Sequence, residues 1–254
     1  MLRPRVIPCL LLSGQGLVKT EQFRHPKYVG DPMNAIRIFN EKMADELIVI
    51  DIDASRRHAG PNFEMIELFA DQCFMPVTYG GGVRSGEDAA RIFDLGIEKI
   101  SLQSAALSDP RIVSSIATRY GSQAVVISID VARTRLGKRA LYSSLERRTI
   151  KAPWSEWLRT SVDAGAGEVL LTDVQREGSG SGLDLEFVTE ATCLVDVPVT
   201  VQGGVGSLTD IRDGLRAGAS AVAAGSFFVF QGRHRAVLIS YLSPQDFATL
   251  GAQQ

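Results

Sequence analysis

Short apolar runs, many of them β-branched, alternate along the chain with longer stretches of helical period, and this alternation limits the fold more than any other feature. The runs cover residues 6–7, 47–52, 76–79, 99–102, 124–129, 168–171, 197–201 and 221–224. Strands that alternate with helices form parallel βα units. Eight units in 254 residues, with no change of composition that would mark a linker, fit a closed barrel better than an open sheet. The sequence therefore predicts an α/β protein with one domain, residues 1–254, folded as a (β/α)8 TIM barrel.

The two halves of the chain repeat one pattern. A constant shift of 122 residues superposes Gly81 and Gly82 on Gly203 and Gly204. The same shift relates five further pairs, which are Ser85 and Ser207, Asp88 and Asp210, Ser104 and Ser226, Glu46 and Glu168, and Asp51 and Asp173. An unbroken register over this distance indicates a duplicated half-barrel.

Charge and cysteine content exclude several classes of function. A formal net charge of -2 is unsuited to covering nucleic acid or an anionic membrane. The first apolar run is interrupted by Pro8 and Ser13 and is too short to span a bilayer, so we expect no export signal and a cytoplasmic protein. The three cysteines, Cys9, Cys73 and Cys193, lie far apart and lack partners at metal-ligand spacing. We expect them to be buried, with no disulfide, no metal and no cofactor.

Two connections, residues 12–30 and 131–153, are longer than usual loops. Both follow strands, so in a barrel both lie at the face where such enzymes place their active sites. The second is rich in basic residues, namely Arg133, Arg135, Lys138, Arg139, Arg147 and Arg148. A solvated hairpin and a lid or docking surface for an anionic ligand both remain open for this segment.

Glycine turns end several strands and predict phosphate binding, because exposed backbone N–H groups bind phosphate oxygens. Gly82 with Gln103 and Ser104 forms one candidate site, and the repeat places a second across the barrel mouth. The second consists of Gly204, Gly225 and Ser226, to which we add Glu177 and Gly178. Two such sites suggest a phosphorylated small molecule with a phosphate at each end. Simple tight turns are the alternative.

Asp130 closes the otherwise apolar fifth strand and is a candidate general acid or base. The equivalent position in the first half, at a shift of 119 residues, is Leu11, which neither gives nor takes a proton. Asp51, Asp53 and Asp173 also follow strands, but capping of their loops explains these carboxylates at least as well.

The chain resembles the HisF family, the cyclase subunit of imidazole glycerol phosphate synthase, from Arg5 to about Leu242. The matching segments include residues 9–10, 18–19, 30–32, 45–47, 80–82, 121–126, 165–168 and 181–182. The resemblance implies a barrel that binds a bisphosphorylated aminoimidazole carboxamide ribonucleotide at one face, while a HisH-like glutaminase docks on the opposite, N-terminal face and supplies ammonia through the barrel. It also assigns catalytic roles to Asp130 and Lys19, whereas the family's other aspartate falls on Leu11.

The resemblance further implies an ammonia gate formed by Arg5, Glu46, Lys99 and Glu168, each at the start of a strand. Two positive and two negative charges there can form a ring of alternating sign that closes the barrel floor. Ordinary surface charge at loop ends is the alternative.

A retained gate with a lost carboxylate is similar to a divergent branch associated with acetamidino-sugar and surface-polysaccharide modification. In that role the barrel channels ammonia from its glutaminase to a sugar amidotransferase of lipopolysaccharide or O-antigen biosynthesis. Two other functions stay open. One is the working cyclase of histidine biosynthesis, and the other is a scaffold that activates the glutaminase without passing ammonia.

Overall fold

The computed structural model describes residues 4–251, so residues 1–3, which enter the expectation about export, and residues 252–254 lie outside the described residues. The eight barrel strands are β1 (Arg5–Ser13), β2 (Leu47–Asp51), β3 (Val77–Gly80), β4 (Lys99–Leu102), β5 (Val125–Arg133), β6 (Glu168–Asp173), β7 (Val199–Gln202) and β8 (Ala221–Ala224). Each pairs in parallel with the next, and β8 pairs with β1, which closes the sheet. The predicted (β/α)8 TIM barrel is confirmed.

Helices lie between the strands and cover the outside of the barrel. They are α1 (Pro32–Glu41), α2 (Phe63–Gln72), α3 (Gly86–Asp94), α4 (Ser104–Ser108), α5 (Arg111–Tyr120), α6 (Trp154–Asp163), α7 (Leu185–Thr192), α8 (Leu208–Arg216), α9 (Ser226–Val229) and α10 (Pro244–Gly251), with a 3-10 turn at Ser122–Ala124. None of the helices in residues 4–251 is long and apolar enough to cross a membrane.

Alternation along each strand separates two apolar layers, because successive side chains of a strand point to opposite faces. In β1, Val6 and Leu10 belong to the large core between sheet and helices. Ile7 and Cys9 belong to a smaller cluster inside the barrel, with Leu11 packed against it. The inward-facing residues of the strands therefore build the functional site, and the outward-facing residues build the core.

The long connections are β-hairpins. The first pairs Gly16–Glu21 with Arg24–Gly30, and the second pairs Arg139–Ser143 with the end of β5 and with Arg148–Thr149. A third, near the end of the chain, pairs Phe230–Gln231 with Ala236–Val237. In the second hairpin, Arg133 and Arg139 form ion pairs with Asp184 at 2.8 and 3.1 Å, so neither of these two cations is free for an anionic ligand.

The expectation for the cysteines is only partly correct. Cys9 is buried inside the barrel, Cys73 is half-buried and Cys193 is exposed at the end of α7. Burial of Cys193 was expected because it lacks a partner at metal-ligand spacing, but the residue is the C-cap of its helix, where the side chain reaches solvent.

The repeat is visible in how α3 and α8 begin. Ser85 accepts a hydrogen bond from the backbone N–H of Asp88 at 3.1 Å, and Ser207 accepts one from that of Asp210 at 3.2 Å. Each hydroxyl satisfies one of the N–H groups that a helix leaves without an internal partner.

Replacing either cap should destabilise the barrel equally. We expect Ser85→Ala and Ser207→Ala each to lower the free energy of unfolding by about 1 kcal/mol, measured by urea denaturation. Ser114→Ala is the matched control, because Ser114 lies exposed within α5 and caps no helix. Losses of the same size in all three variants would contradict a capping role.

Candidate functional site

The carboxyl ends of the strands surround a mouth that contains two neighbouring pockets. Gly82, Gln103, Ser104 and Asp130 line the first. The second is lined by Lys19 and by the residues predicted for the other phosphate site, namely Glu177, Gly178, Gly204, Gly225 and Ser226. Leu11 lines both pockets. The structure thus brings the residues selected from the sequence into two adjacent groups.

Asp130 is held in a hydrogen-bond network at the top of the barrel. The Gln103 side chain donates to its carboxylate through Nε2, and this orientation is fixed because the backbone N–H of Ser144 donates to Gln103 Oε1 at 3.1 Å. Thr172 also hydrogen-bonds to Asp130, and Gln202 donates to the Thr172 hydroxyl at 2.9 Å. The sequence analysis missed Thr172 and Gln202, although both lie at carboxyl ends of strands, as Asp130 does.

Burial gives Asp130 the protonation behaviour of a general acid or base. It raises the pKa of this carboxyl to about 7, although hydrogen bonds from Thr172 and Gln103 act in the opposite direction. A group with a pKa near neutrality exchanges protons readily at physiological pH.

Lys19 projects from the first hairpin into the second pocket. Its amine is buried and donates to the carbonyl oxygen of Cys9. Burial lowers the pKa of Lys19, against the opposing effects of Cys9 and Glu177. The amine lies so close to Gly225 that a Cβ at this position would collide with it. A side chain at position 225 would therefore displace the lysine amine from its present place.

The second pocket has the features of an oxyanion cradle. The Ser226 hydroxyl is buried and has no hydrogen-bond partner among residues 4–251. Gly204 has a φ of +110°, and a Cβ there would collide with the backbone of Gly182. Among residues 4–251, the backbone N–H groups of Ser104 and Ser226 donate no hydrogen bond. Each of these residues begins a short helix at its pocket.

Two residues predicted to bind phosphate have different contacts. Glu177 accepts hydrogen bonds from the Thr20 hydroxyl at 2.9 Å and from the backbone N–H of Phe23 at 3.0 Å. A carboxylate repels phosphate, and this one fixes the first hairpin over the mouth. The side-chain amide of Gln103 donates to Asp130, and this leaves Nε2 turned away from the predicted phosphate site. Composition at a strand end did not distinguish these roles, because both depend on neighbours distant in sequence.

The equivalent aspartates of the two halves cap their own loops. Asp51 accepts hydrogen bonds from the backbone N–H groups of Asp53 and Ala54 at 2.9 and 3.0 Å. Asp173 accepts the corresponding bonds from Gln175 and Arg176 at 3.0 and 3.3 Å. Their position favours the capping alternative. Residues 4–251 include no group of three or more His, Cys, Asp or Glu side chains that could hold a metal ion.

Four charged side chains form a closed ring at the opposite end of the barrel. Arg5 contacts Glu46 at 2.8 Å and Glu168 at 3.1 Å. Lys99 contacts Glu168 at 2.7 Å and Glu46 at 3.4 Å. Hence each cation touches both carboxylates, and the signs alternate around the ring.

Contacts within the ring favour the charged forms of Arg5 and Glu168. The hydrogen bonds that Arg5 donates to Glu46 raise the pKa of Arg5. Burial of Glu168 opposes ionisation, but the hydrogen bond from Lys99 and the charge of Arg5 leave its pKa below the usual value. Thr200 adds a hydrogen bond to Glu168 at 2.8 Å. The four residues thus form a plug with no unpaired charge.

The first pocket reaches down the barrel almost to this ring. Ser101 and Leu170 line it, and they are the next inward-facing residues after Lys99 and Glu168 on β4 and β6. The hydroxyls of Ser101 and Ser128, on the neighbouring strands β4 and β5, hydrogen-bond to each other at 2.7 Å. The charged ring and the buried apolar side chains of Ile7, Ile48 and Val126 therefore separate the pocket from the N-terminal face.

These features define a (β/α)8 barrel with a buried acid at one end and a charged plug at the other. Residues 5–235 match the family described as histidine biosynthesis protein, and the chain belongs to this family. The resemblance to HisF is thereby confirmed at the level of the family.

Relatives of similar length support the assignment. A Pseudomonas aeruginosa protein provisionally named imidazole glycerol phosphate synthase subunit hisF2 is 51% identical, covering 95% of this chain and 96% of its own length. A Leptospira interrogans protein provisionally named as subunit HisF is 45% identical, covering 97% and 98%. The Gluconacetobacter diazotrophicus protein named imidazole glycerol phosphate synthase subunit HisF is 37% identical, covering 91% and 89%.

The raised pKa of Asp130 predicts a stability that depends on pH. Between the ordinary value of 3.8 and about 7, the unfolded chain loses this proton while the folded chain keeps it. Stability attributable to Asp130 therefore falls as pH rises through this range, by up to about 4 kcal/mol.

Asp130→Asn removes this titration and keeps a group that accepts from Gln103. We expect the variant to lose less stability than the parent between pH 4.5 and 7.5 in urea denaturation. The control is Asp196→Asn, which alters an exposed carboxyl. A parallel pH dependence in the parent and Asp130→Asn would exclude the raised pKa.

Proposed function

We propose that this barrel binds a HisH-like glutaminase at its N-terminal face and conducts ammonia to its mouth for a sugar amidotransferase of acetamidino-sugar biosynthesis. The observation that carries the proposal is the depth of the first pocket, whose floor at Ser101 lies one inward-facing position above Lys99. A passage through the barrel then requires that the ring open and that the apolar side chains of Ile7, Ile48 and Val126 above it leave a path.

The interior above the ring suits a neutral molecule. Ile7, Ile48 and Val126 face each other there, and β8 contributes only the small side chains of Ala221 and Ala223. Ammonia can cross such a surface, whereas ammonium would lose its hydration without compensation. The ring closes the floor of the barrel with charges that are mutually paired.

Leu11 supports delivery of ammonia over its use in ring closure. It lies in the mouth between the two pockets, at the position where the HisF resemblance implies a carboxylate. Cyclisation needs proton transfer at two points, and leucine removes one of them. A barrel that only delivers ammonia does not need this group.

The second candidate is the cyclase of histidine biosynthesis, which forms imidazole glycerol phosphate. A specific observation favours it, since Asp130 has a pKa of about 7 and Lys19 lies in the adjoining pocket. The cradle at Gly204 and Ser226 fits one phosphate of the bisphosphorylated substrate. The names of the relatives agree with this activity.

Cyclase turnover distinguishes the two candidates. With the bisphosphorylated substrate and an ammonium salt, we expect the parent to turn over 10²–10⁴-fold more slowly than the ordinary rate of about 1 per second. Leu11→Asp restores a proton-transfer group and should raise turnover, whereas Leu11→Asn has a similar shape and should not. Parent turnover near 1 per second or faster would establish the cyclase instead.

The ring provides a test of ammonia passage. Lys99→Met removes the cation that touches both carboxylates while Arg5 continues to bridge them, so the fold should survive and the plug should loosen. In complex with the glutaminase, we expect less of the released ammonia to reach the sugar amidotransferase product for each glutamine consumed. Lys151→Met, at an exposed site outside the ring, should deliver as much ammonia for each glutamine consumed as the parent does.

Two measurements complete this test. Melting temperature and glutaminase affinity of Lys99→Met must resemble those of the parent for the coupling ratio to be informative. Unchanged coupling in an intact complex would favour a scaffold that activates the glutaminase without passing ammonia. Failure to form any complex with a HisH-like protein would remove the conduit altogether.

A further inference from the structure

A basic basin lies outside the mouth, where the first hairpin meets the hairpin near the end of the chain. Arg24, Lys27 and Arg235 line it together with the ring of Phe230, and Glu21 is its one carboxylate among the described residues. These side chains belong to neither phosphate cradle. The basin adjoins the second pocket only through Lys19, whose amine is committed to Cys9.

Phe230 holds two of the cations in place. The Lys27 amine lies 5.4 Å from the ring centroid, and the Arg235 guanidinium carbon lies 4.8 Å from it. Both interactions are of the cation–π type. Arg235 also donates to the carbonyl of Gly178 at 3.3 Å, which ties the basin to the wall of the mouth. The charges of Lys27 and Arg235 are thus held in place.

The basic residues of the basin outnumber its one described carboxylate, Glu21. Arg24, Lys27 and Arg235 take part in no ion pair within residues 4–251. On the neighbouring hairpin the opposite holds, because Arg133 and Arg139 share Asp184. Like charges held close together repel, and an anion between them removes the repulsion.

Positive φ angles are frequent in the two hairpins that form the basin. Seven non-glycine residues of the described chain have positive φ, and four of them, Gln22, Phe23, His25 and Arg235, lie on these two hairpins. The first hairpin is held in this conformation by Glu177, whose carbonyl accepts from the backbone N–H of Gln22 at 3.0 Å. Gln22 and Phe23 are the two central residues of the tight turn between Glu21 and Arg24, and a two-residue hairpin turn of this kind requires positive φ at both.

We propose that the basin binds a small anion with two linked phosphoryl groups, such as a diphosphate ester. Apart from Lys19, which is committed to Cys9, three basic side chains and one carboxylate leave a net charge of two. This equals in size the charge of a doubly esterified diphosphate. Guanidinium groups match the geometry of phosphoryl oxygens, and two of the three cations are arginines. The inference is independent of ammonia passage and of the glutaminase.

Calorimetric titration of the whole chain with inorganic pyrophosphate tests the proposal. We expect binding at least tenfold tighter than that of inorganic phosphate, and about tenfold weaker in Lys27→Gln and in Arg235→Gln. Phe230→Leu keeps an apolar residue but removes the ring, and should also weaken binding. The matched control is Arg147→Gln, because Arg147 is exposed, has positive φ and lies on the second long hairpin, outside the basin.

A second control separates the basin from the mouth. Ser226→Ala should leave the pyrophosphate affinity of the basin unchanged, because its hydroxyl belongs to the second pocket. If Ser226→Ala loses the affinity and Lys27→Gln keeps it, pyrophosphate occupies the mouth and the proposal is wrong. An equal loss of pyrophosphate affinity in Arg147→Gln would show that the effect comes from overall charge and would contradict the proposal. No binding of pyrophosphate by the parent would also overturn the proposal and would favour an acidic protein surface as the partner of the basin.

Discussion

Closure of the parallel sheet is the constraint on which every other feature depends. Once β8 pairs with β1, each strand has one face toward the helices and one toward the barrel axis. The inward-facing positions then form levels along the axis, since side chains on one face recur every second residue. Charge at the lowest level, apolar side chains in the middle and a carboxyl group at the top are three levels of one structure. The chemistry of the mouth and that of the floor share the same strands.

Much of this arrangement could be predicted from sequence, for reasons that differ between residues. The strands were predictable because apolar runs of that length between helical segments have few other structures. Arg5 and Lys99 could be assigned to the floor because each begins a strand, and strand order fixes which end of a barrel a residue occupies. Ser85 and Ser207 were predictable as caps because helix capping is local.

Contacts between distant segments were not predictable in this way. Glu177 was grouped with phosphate ligands, yet its partners are Thr20 and Phe23, more than 150 residues away. Gln103 was assigned by its place beside Ser104, yet its amide is directed by Ser144 in the second long hairpin. The basic hairpins show the same limit. Sequence composition treats Arg139 and Arg235 alike, but α7 supplies carboxylates to the first and no described residue forms an ion pair with the second.

The charged ring also records how the two halves diverged. Its carboxylates, Glu46 and Glu168, are equivalent under the repeat, whereas the position equivalent to Lys99 is Ala221. Arg5 lies beside this alanine in the ladder, where the small side chain leaves room for the guanidinium. A barrel made from two copies of the second half would have acids without bases at its floor. One made from two copies of the first half would have an excess of bases. Neutrality at the floor is therefore a property of the fused, unequal pair, and neither half can be exchanged for the other.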